Sequence, residues 1–567
     1  MTGKEHTQRL EGATKQAIET GRTRLLVAGA IFALAFSTIS VRLADITVLQ
    51  QGHEPRVAQA ARVNNVSTMR ADIVDRNGEL LATSLQTASL YANPKHVINP
   101  AEAAGKLVSV LPGLSQAELQ AKLAASNRSF VWIHRHLTPR QQYDVNKLGI
   151  PGVYFQRDER RVYPQGPLAA HVVGFTNIDG EGLAGIEKSF DEVLKGGGRP
   201  LALSLDIRVQ HVLRQELQNT VKKFSAIGAA GIMLDVNTGE VIAMVSLPDF
   251  DPHNPTGLDS QTLFNRATLG VYEQGSMFKI FTAAFALDSG AVNLASGFDA
   301  SKPIRIARFT ISDYKGQNRW LSVPEVLIYS SNIGAAKMAL AAGTAVQRKY
   351  LGAFGLLRPA SIELPEIGAP MVPSPWRDIN TMTIGFGHGL AVSPLQMVDG
   401  VAAVANGGRL LPTTLLKRVP GEKPEGTRVI TPRTAEEVRK IMRLVVTEGS
   451  GKSANVPGYF VGGKTGTAEK VNEHGGYKRK ALLSSFIAAF PINQPRYVVL
   501  ASIDEPHGIK ESYGYATGGW TAAPAVGRII SRVAPILGIQ PEDDSDGRIA
   551  AKLAINSMAR GRTVASQ

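Results

Sequence analysis

Hydrophobic and polar positions divide this 567-residue chain into segments of different period. Lys4, Arg9, Lys15, Arg22 and Arg24 precede an uncharged apolar run, Leu25 to Val41 (LLVAGAIFALAFSTISV), which closes at Arg42. As a helix the run rises about 25 Å, the short end of a membrane span. Arg24 and Arg42 can snorkel to the two interfaces and extend it. The run is longer than the core of a cleavable signal peptide and its polar leader is long, so an uncleaved anchor over 25–42 is expected. Basic residues ahead of the span put 1–24 in the cytoplasm and the chain after Arg42 outside.

From Val57 to about Phe224 the pattern is mixed. Met69 to Ser84 alternates around Asn77-Gly78, which predicts a hairpin. Pro100 to Asn127 reads as helical, glycines and prolines punctuate Pro151 to Pro200, and Gly196-Gly197-Gly198 marks a turn or hinge. Asp206 to Phe224 has the period of an amphipathic helix. A second unit, from about Ala226 to Gly538, opens with strand-like Ala229–Asp235 and Glu240–Ser246 around the tight turn Asn237-Thr238-Gly239. Apolar helices follow, then strands near Tyr459–Lys470, Ala481–Phe490 and Arg496–Ile503. Strands at both ends with helices between predict an α/β fold with one antiparallel sheet sandwiched by helices. After Gly538 the chain turns acidic, then basic, without a pattern, and 539–567 is expected to be disordered.

The length calls for two or three folded units. The formal net charge of +14 fits solubility and attraction to anionic lipid. Basic and aromatic residues do not cluster as a nucleic-acid surface requires, so no nucleic-acid partner is expected. Cysteine is missing, which excludes disulfides, zinc–cysteine sites and thiol catalysis. The eleven histidines show no metal-ligand spacing. His171 and His388 are read as structural, and no metal or cofactor is implied.

Candidate chemistry lies in three short patterns of the second unit: Ser276-Met277-Phe278-Lys279, Ser330-Ser331-Asn332 and Lys464-Thr465-Gly466-Thr467. The first two have decoys, Ser312-Asp313-Tyr314-Lys315 and Ser453-Ala454-Asn455. Context selects Ser276. Met277 to Leu287 (MFKIFTAAFAL) predicts a buried apolar helix with Ser276 at its N-terminus, where free N–H groups and the helix dipole favour developing negative charge. Lys279 lies one turn on, on the same face. A lysine in that apolar helix is costly as a cation, so its amine tends to be neutral and able to take the serine proton. Gly462, Gly463 and Gly466 in the third pattern suggest close approach by another backbone, such as an extended peptide substrate. Thr465 and Thr467 project to one face and can present hydroxyls to a carboxylate. Lys464 adds a positive charge that helps hold Lys279 neutral.

In this order the three patterns resemble the penicillin-binding and serine β-lactamase group. Tyr272-Glu273-Gln274-Gly275-Ser276 is similar to the lead-in of class B penicillin-binding proteins, with Gln274 in place of their usual proline. Gly385-Phe386-Gly387-His388-Gly389 followed by Ser393-Pro394-Leu395-Gln396 is similar to the glycine loop and helix of that class. Arg70 and Asp75-Arg76-Asn77-Gly78 resemble its N-terminal motif, with Ala71 where glycine is usual. Arg161-Val162-Tyr163-Pro164, Ala169-Ala170-His171 and Gly182-Leu183-Ala184-Gly185-Ile186-Glu187 extend the match, so the resemblance runs from the anchor to about residue 535.

The resemblance implies an elongated α+β pedestal of the dimerisation type over 43–225, outside the inner membrane, carrying a transpeptidase domain over 226–538. It implies that Ser276 attacks the bond between the terminal D-alanines of a stem peptide, with Lys279 as general base. Ser276 and Thr467 N–H groups form the oxyanion hole, Ser330 relays a proton and Asn332 holds peptide amides. Lys464, Thr465 and Thr467, around Gly466, bind the terminal carboxylate, and β-lactams acylate the same serine. Asn332 and the Lys464–Ala468 form of the third motif look most like the division-specific, FtsI-like branch, working at the septum with an FtsW-like glycosyltransferase and other division proteins. An elongation-specific enzyme, a β-lactamase or carboxypeptidase using water, and a non-catalytic division scaffold are the competing readings. The anchor and the large first unit weigh against the hydrolases.

Overall fold

The computed structural model describes residues 5–44, 69–306 except 256 and 258, 309–471 and 476–555. It divides into two units, 1–68 and 69–567. In the first, helix α1 (Glu5–Ala44) contains a stretch, Gly21–Ser40, with mean hydropathy 1.6, long and apolar enough to cross a membrane by length and composition. None of that stretch is buried against protein.

The second unit begins with a five-stranded sheet. Strand β1 (Ile73–Val74) turns through Asn77-Gly78 into the long β2 (Leu80–Ala92), its antiparallel neighbour, as the alternation predicts. Gly78 supplies the positive φ, +92°, that this turn needs. Helices α2 (Pro100–Val110) and α3 (Gln116–Ala124) follow. The single helical stretch expected over 100–127 is thus broken, at Pro112-Gly113, where Gly113 has φ +103°. Strands β3 (Val131–Leu137) and β4 (Val153–Val162) both pair with β2, and β5 (Leu201–Ala202) runs parallel to β1. A buried ionic knot ties the ends of this region together. Glu187 accepts from Arg70 Nε and from Arg161 Nε, each at 2.7 Å, and Arg70 also reaches Asp191 at 2.7 Å.

Helix α4 (Ile207–Lys223), capped by the Asp206 carboxylate, leads into the second sheet. Its strands are β6 (Gly228–Asp235), β7 (Val241–Leu247), β8 (Gly462–Val471), β9 (Tyr477–Phe490) and β10 (Tyr497–Asp504), antiparallel throughout in the order β8-β9-β10-β6-β7. Strands β6, β7 and β10 are buried along nearly their whole length, because both faces are covered. On one side lie α4 and α7 (Ala522–Ile536), within a cluster that includes Leu213, Leu217, Phe490 and Ile530. On the other lies a helical layer whose centre is α5 (Lys279–Asp288), its Phe281 and Phe285 in one cluster with Phe354 and Val398. Burying one such side chain contributes about 1.5–3 kcal/mol, so this core fixes the layer on which the site is built.

Two further expectations need correction. The helix expected from Met277 begins at Lys279, after a 3-10 turn over Gly275–Phe278 that the chain enters through Gly275 at φ +55°. The tail past Gly538 is folded as far as it is described. Ile539 is buried, Glu542 N donates to Gly458 O at 2.9 Å, and Asp544 accepts from Gly458 N at 3.1 Å. A short helix, Gly547–Leu553, ends at buried Ile555. A few apolar side chains and backbone hydrogen bonds suffice to dock a segment that lacks any periodic signal. Residues 556–567 of the expected disordered tail lie outside the described residues.

Candidate active site

Four segments distant in sequence converge: the 3-10 turn at Ser276, the turn before helix α6 (Asn332–Ala342), the edge strand β8, and the loop 385–389. Their contact is very close. A Cβ built on Gly275 would lie 2.6 Å from Thr467 O and 3.2 Å from Thr467 N, and one on Gly387 would lie 1.9 Å from Gly275 O. Gly275 N donates to Gly387 O at 3.2 Å. The backbone of Ser276 is thereby set beside that of Thr467.

Lys279 occupies the first turn of α5 and has no exposed surface. Its Nζ has four oxygens within reach: Ser276 Oγ at 2.9 Å, Ser330 O at 2.7 Å, Asn332 Oδ1 at 2.7 Å and Ser330 Oγ at 3.2 Å. The carbonyl oxygens of Ser330 and Asn332 can only accept. A neutral amine can donate to both and keep its lone pair for the hydroxyl proton of Ser276. Burial, then the neighbouring Lys464 charge, hold the Lys279 amine well below its ordinary range, against an opposing pull from Asp313.

Lys464 is equally buried, and burial brings its amine down to about 7. It donates to Ser330 Oγ at 2.9 Å and reaches Thr465 Oγ1 at 3.3 Å. Ser330 itself sits at φ +58°, a left-handed conformation that costs a non-glycine residue energy and that the surrounding bonds enforce.

The second motif is held by a residue that sequence reasoning missed. The Asp313 carboxylate accepts from Ser331 Oγ at 2.7 Å, from Asn332 N at 2.6 Å and from Ile333 N at 3.0 Å. The carboxylate therefore caps α6 and sets where Ser330 and Asn332 stand. Asn332 Nδ2 donates to Ser312 O at 3.0 Å, so its amide is anchored at both ends with one N–H to spare. The sequence signal was present, inside the discarded Ser312–Lys315 decoy. Lys315 lies over the Tyr515 ring at 5.5 Å. The other decoy is remote in role, Asn455 Oδ1 accepting from Arg443 at 2.8 Å.

In β8 the glycines have a different use from the one expected. A Cβ on Gly466 would meet Gln274 O at 2.7 Å, and one on Gly463 would meet Ile487 O at 2.4 Å. The close approach they permit is by the chain's own turn and neighbouring strand. The outer edge of β8 is nevertheless unpaired among the described residues, since β8 ends the sheet. Thr465 Oγ1 bonds Ser450 Oγ at 2.8 Å, and Thr467 Oγ1 accepts from Gly518 N at 3.1 Å.

His171 and His388, read as structural, are partnered differently. His171 Nε2 bonds Thr262 O at 3.0 Å and its ring packs edge-on against Phe250. His388 stands in the 385–389 loop beside the site, and burial lowers its pKa to about 4.

Comparison with known proteins gives two family matches. Residues 229–531 match the penicillin binding protein transpeptidase domain, and 65–199 match the penicillin-binding protein dimerisation domain. The chain is 42% identical to the probable peptidoglycan D,D-transpeptidase FtsI of Caulobacter vibrioides, over 84% of this chain and 82% of that protein. It is 32% identical to the peptidoglycan D,D-transpeptidase FtsI of Escherichia coli, over 85% and 86% respectively. Among solved structures, penicillin-binding protein 3 of Mycobacterium tuberculosis in complex with aztreonam superposes with TM-score 0.67 at 25% identity, covering 84% of this chain and 98% of that one.

Proposed function

The chain belongs to the class B penicillin-binding proteins, and from that premise we propose how its residues divide the work of acyl transfer. It is a peptidoglycan D,D-transpeptidase of the FtsI kind. Ser276 Oγ attacks the carbonyl between the terminal D-alanines of a stem peptide, and Lys279 Nζ takes its proton. The observation that carries this is the Lys279 amine, wholly buried, 2.9 Å from Ser276 Oγ and with two obligate acceptors filling its N–H bonds. Ser330, between the two lysines, passes the proton to the departing D-alanine. The N–H groups of Ser276 and Thr467 stabilise the oxyanion; one such donor contributes about 2.7–4 kcal/mol. Lys464 with Thr465 and Thr467 receives the terminal carboxylate. The peptide adds along the free edge of β8 at Gly466, and Asn332 offers it the remaining N–H. β-Lactams enter as acylating analogues of the same peptide.

We further assign 25–42 as the inner-membrane anchor, with 1–24 cytoplasmic, 43–225 as the periplasmic pedestal and 226–538 as the transpeptidase domain. The basic leader ahead of the span supports this orientation. The name FtsI borne by relatives, and Asn332 in the second motif, support work at the division septum beside an FtsW-like glycosyltransferase.

The test is to give the purified full chain a stem-peptide analogue ending in D-Ala-D-Ala together with a second, amine-bearing peptide. The expected products are free D-alanine and an amide-linked dimer. D-alanine with only the shortened peptide would mark a carboxypeptidase. No D-alanine release would leave a binding scaffold.

A further inference from the structure

An acyl-enzyme needs an amine to become a cross-link, and one carboxylate beside the nucleophile has no task in the network above. Glu273 lies three residues before Ser276, in a two-residue strand (Tyr272–Glu273) paired with Ala391–Val392. Its Oε1 accepts from Gly389 N at 2.7 Å, and the Tyr477 hydroxyl donates to its Oε1 and Oε2 at 3.3 and 3.1 Å. Both donors are neutral, and among the described residues no cation pairs with this carboxylate. Burial without such a partner raises its pKa. A half-buried, unpaired carboxylate in a catalytic cleft is expensive for the fold and calls for a positive ligand.

The surroundings are built to hold it there. Gly387 has φ +94° and is pressed on Gly275 O, so the loop carrying His388 and Gly389 is locked to the turn that carries Ser276. The His388 ring meets the Tyr477 ring edge-on, with centroids 5.8 Å apart. His388 Nδ1 is buried and has no hydrogen-bond partner among the described residues. Its lowered pKa leaves the ring uncharged at neutral pH, free to accept a hydrogen bond. One unpaired carboxylate and one unpartnered imidazole nitrogen thus adjoin the nucleophile, and both suit an N–H donor. The acyl acceptor in peptidoglycan cross-linking is an amine that arrives in water as an ammonium ion.

We propose that Glu273, with His388 and Tyr477, forms the acceptor subsite and receives a cationic primary amine for attack on the Ser276 ester. This rests on the reading of Ser276 as the acylated nucleophile. The ammonium gives one proton to the Glu273 carboxylate, which later releases it to solvent. The amine lone pair then forms the N–C bond to the acyl carbon, and the C–Oγ bond to Ser276 breaks. The second amine proton passes through the Lys279 amine to Ser276 Oγ, leaving an amide, a free serine and no net change of oxidation state.

The test uses the full chain, a thioester donor that forms the acyl-enzyme, and two acceptors. One is a D-amino acid amide, cationic at neutral pH; the other is hydroxylamine, which is already unprotonated there. In Glu273→Gln, the ratio of aminolysis to acylation with the cationic acceptor is expected to fall about ten-fold or more, from loss of a charged hydrogen bond. The same ratio with hydroxylamine is expected to change far less. Glu273→Asp is expected to recover part of the loss. Tyr477→Phe, which leaves the carboxylate in place, is expected to shift the ratio the same way by a smaller factor and serves if the glutamine variant does not fold. Equal losses with both acceptors, or no loss with either, would overturn the subsite. Failure of the wild type to form an acyl-enzyme would instead overturn the Ser276 reading beneath it.

Discussion

Lys279 and Lys464 share a single hydroxyl: Ser330 Oγ lies 3.2 Å from the Nζ of the first and 2.9 Å from that of the second. Neither lysine has exposed surface. Two ammonium ions this close and this dry repel each other, so the pair holds fewer than two protons near neutrality, and its titration belongs to the pair. Ser330 Oγ, within hydrogen-bond reach of both, can pass a proton between them. This arrangement is the physical basis for treating Lys279 as the base and Ser330 as the relay.

Lys279→Arg tests the first role. A guanidinium keeps the positive charge and cannot be deprotonated in a protein. The acylation rate by a β-lactam is expected to fall about 100- to 10,000-fold, the usual worth of a general base. Stopped-time labelling measures it. A loss under ten-fold would show that Ser276 is activated by another group.

Asp313→Ala removes the carboxylate that holds Ser331, Asn332 and Ile333. The expected effect is a fall of about 10- to 100-fold in acylation, from loss of charged hydrogen bonds each worth about 1.5–3 kcal/mol. Asp313→Asn, which keeps one acceptor oxygen, is expected to fall between. Circular dichroism separates this from unfolding. Unchanged acylation in both variants would remove Asp313 from the account.

Glu187→Gln leaves the buried Arg161 guanidinium without its carboxylate and Arg70 with Asp191 alone. Removing one partner of such a cluster typically costs about 3–5 kcal/mol. Thermal unfolding is expected to begin at distinctly lower temperature, while the penicillin acylation rate of protein still folded stays as it was. A variant as stable as wild type would show that the knot is not needed.

Asp399 gives a pH dependence whose sign is fixed. Burial raises its pKa to about 7, and its only described hydrogen bond is from Thr413 Oγ1 at 2.6 Å. The folded state therefore binds this proton more tightly than the unfolded chain does. Stability from Asp399 is complete below about pH 4, declines as pH rises toward 7, and is lost above it. Asp399→Asn is expected to match wild type near pH 4 and to exceed it by about 1–2 kcal/mol at pH 8, a modest figure because the side chain is partly exposed. Chemical denaturation at the two pH values measures this; a stability difference that is the same at both would contradict the buried-acid reading.

The sheet strands and the three motifs were legible because each has a local signal. Gly228–Asp235 and Tyr497–Asp504 are nearly continuous apolar runs, and Ser276–Lys279 opens a helix too apolar to be anywhere but the core. What escaped depends on contacts between distant segments. Asp313 could be read only as part of a decoy, since its partners lie eighteen to twenty residues away. The glycines of β8 signalled a close approach, but the pattern does not say whether the visitor is substrate or the chain itself. The folded segment 539–555 rests on single contacts such as Asn493 with Glu542, which leave no periodicity.

The account stands most directly on covalent labelling of Ser276. The purified full chain would be treated with fluorescent penicillin, digested, and the labelled peptide identified by mass spectrometry, for wild type and for Ser276→Ala. The expected result is a long-lived adduct on the peptide containing Ser276, and none in the variant. Label that persists in Ser276→Ala, or that maps to Ser312, would contradict the site; label lost within minutes would mark a hydrolase.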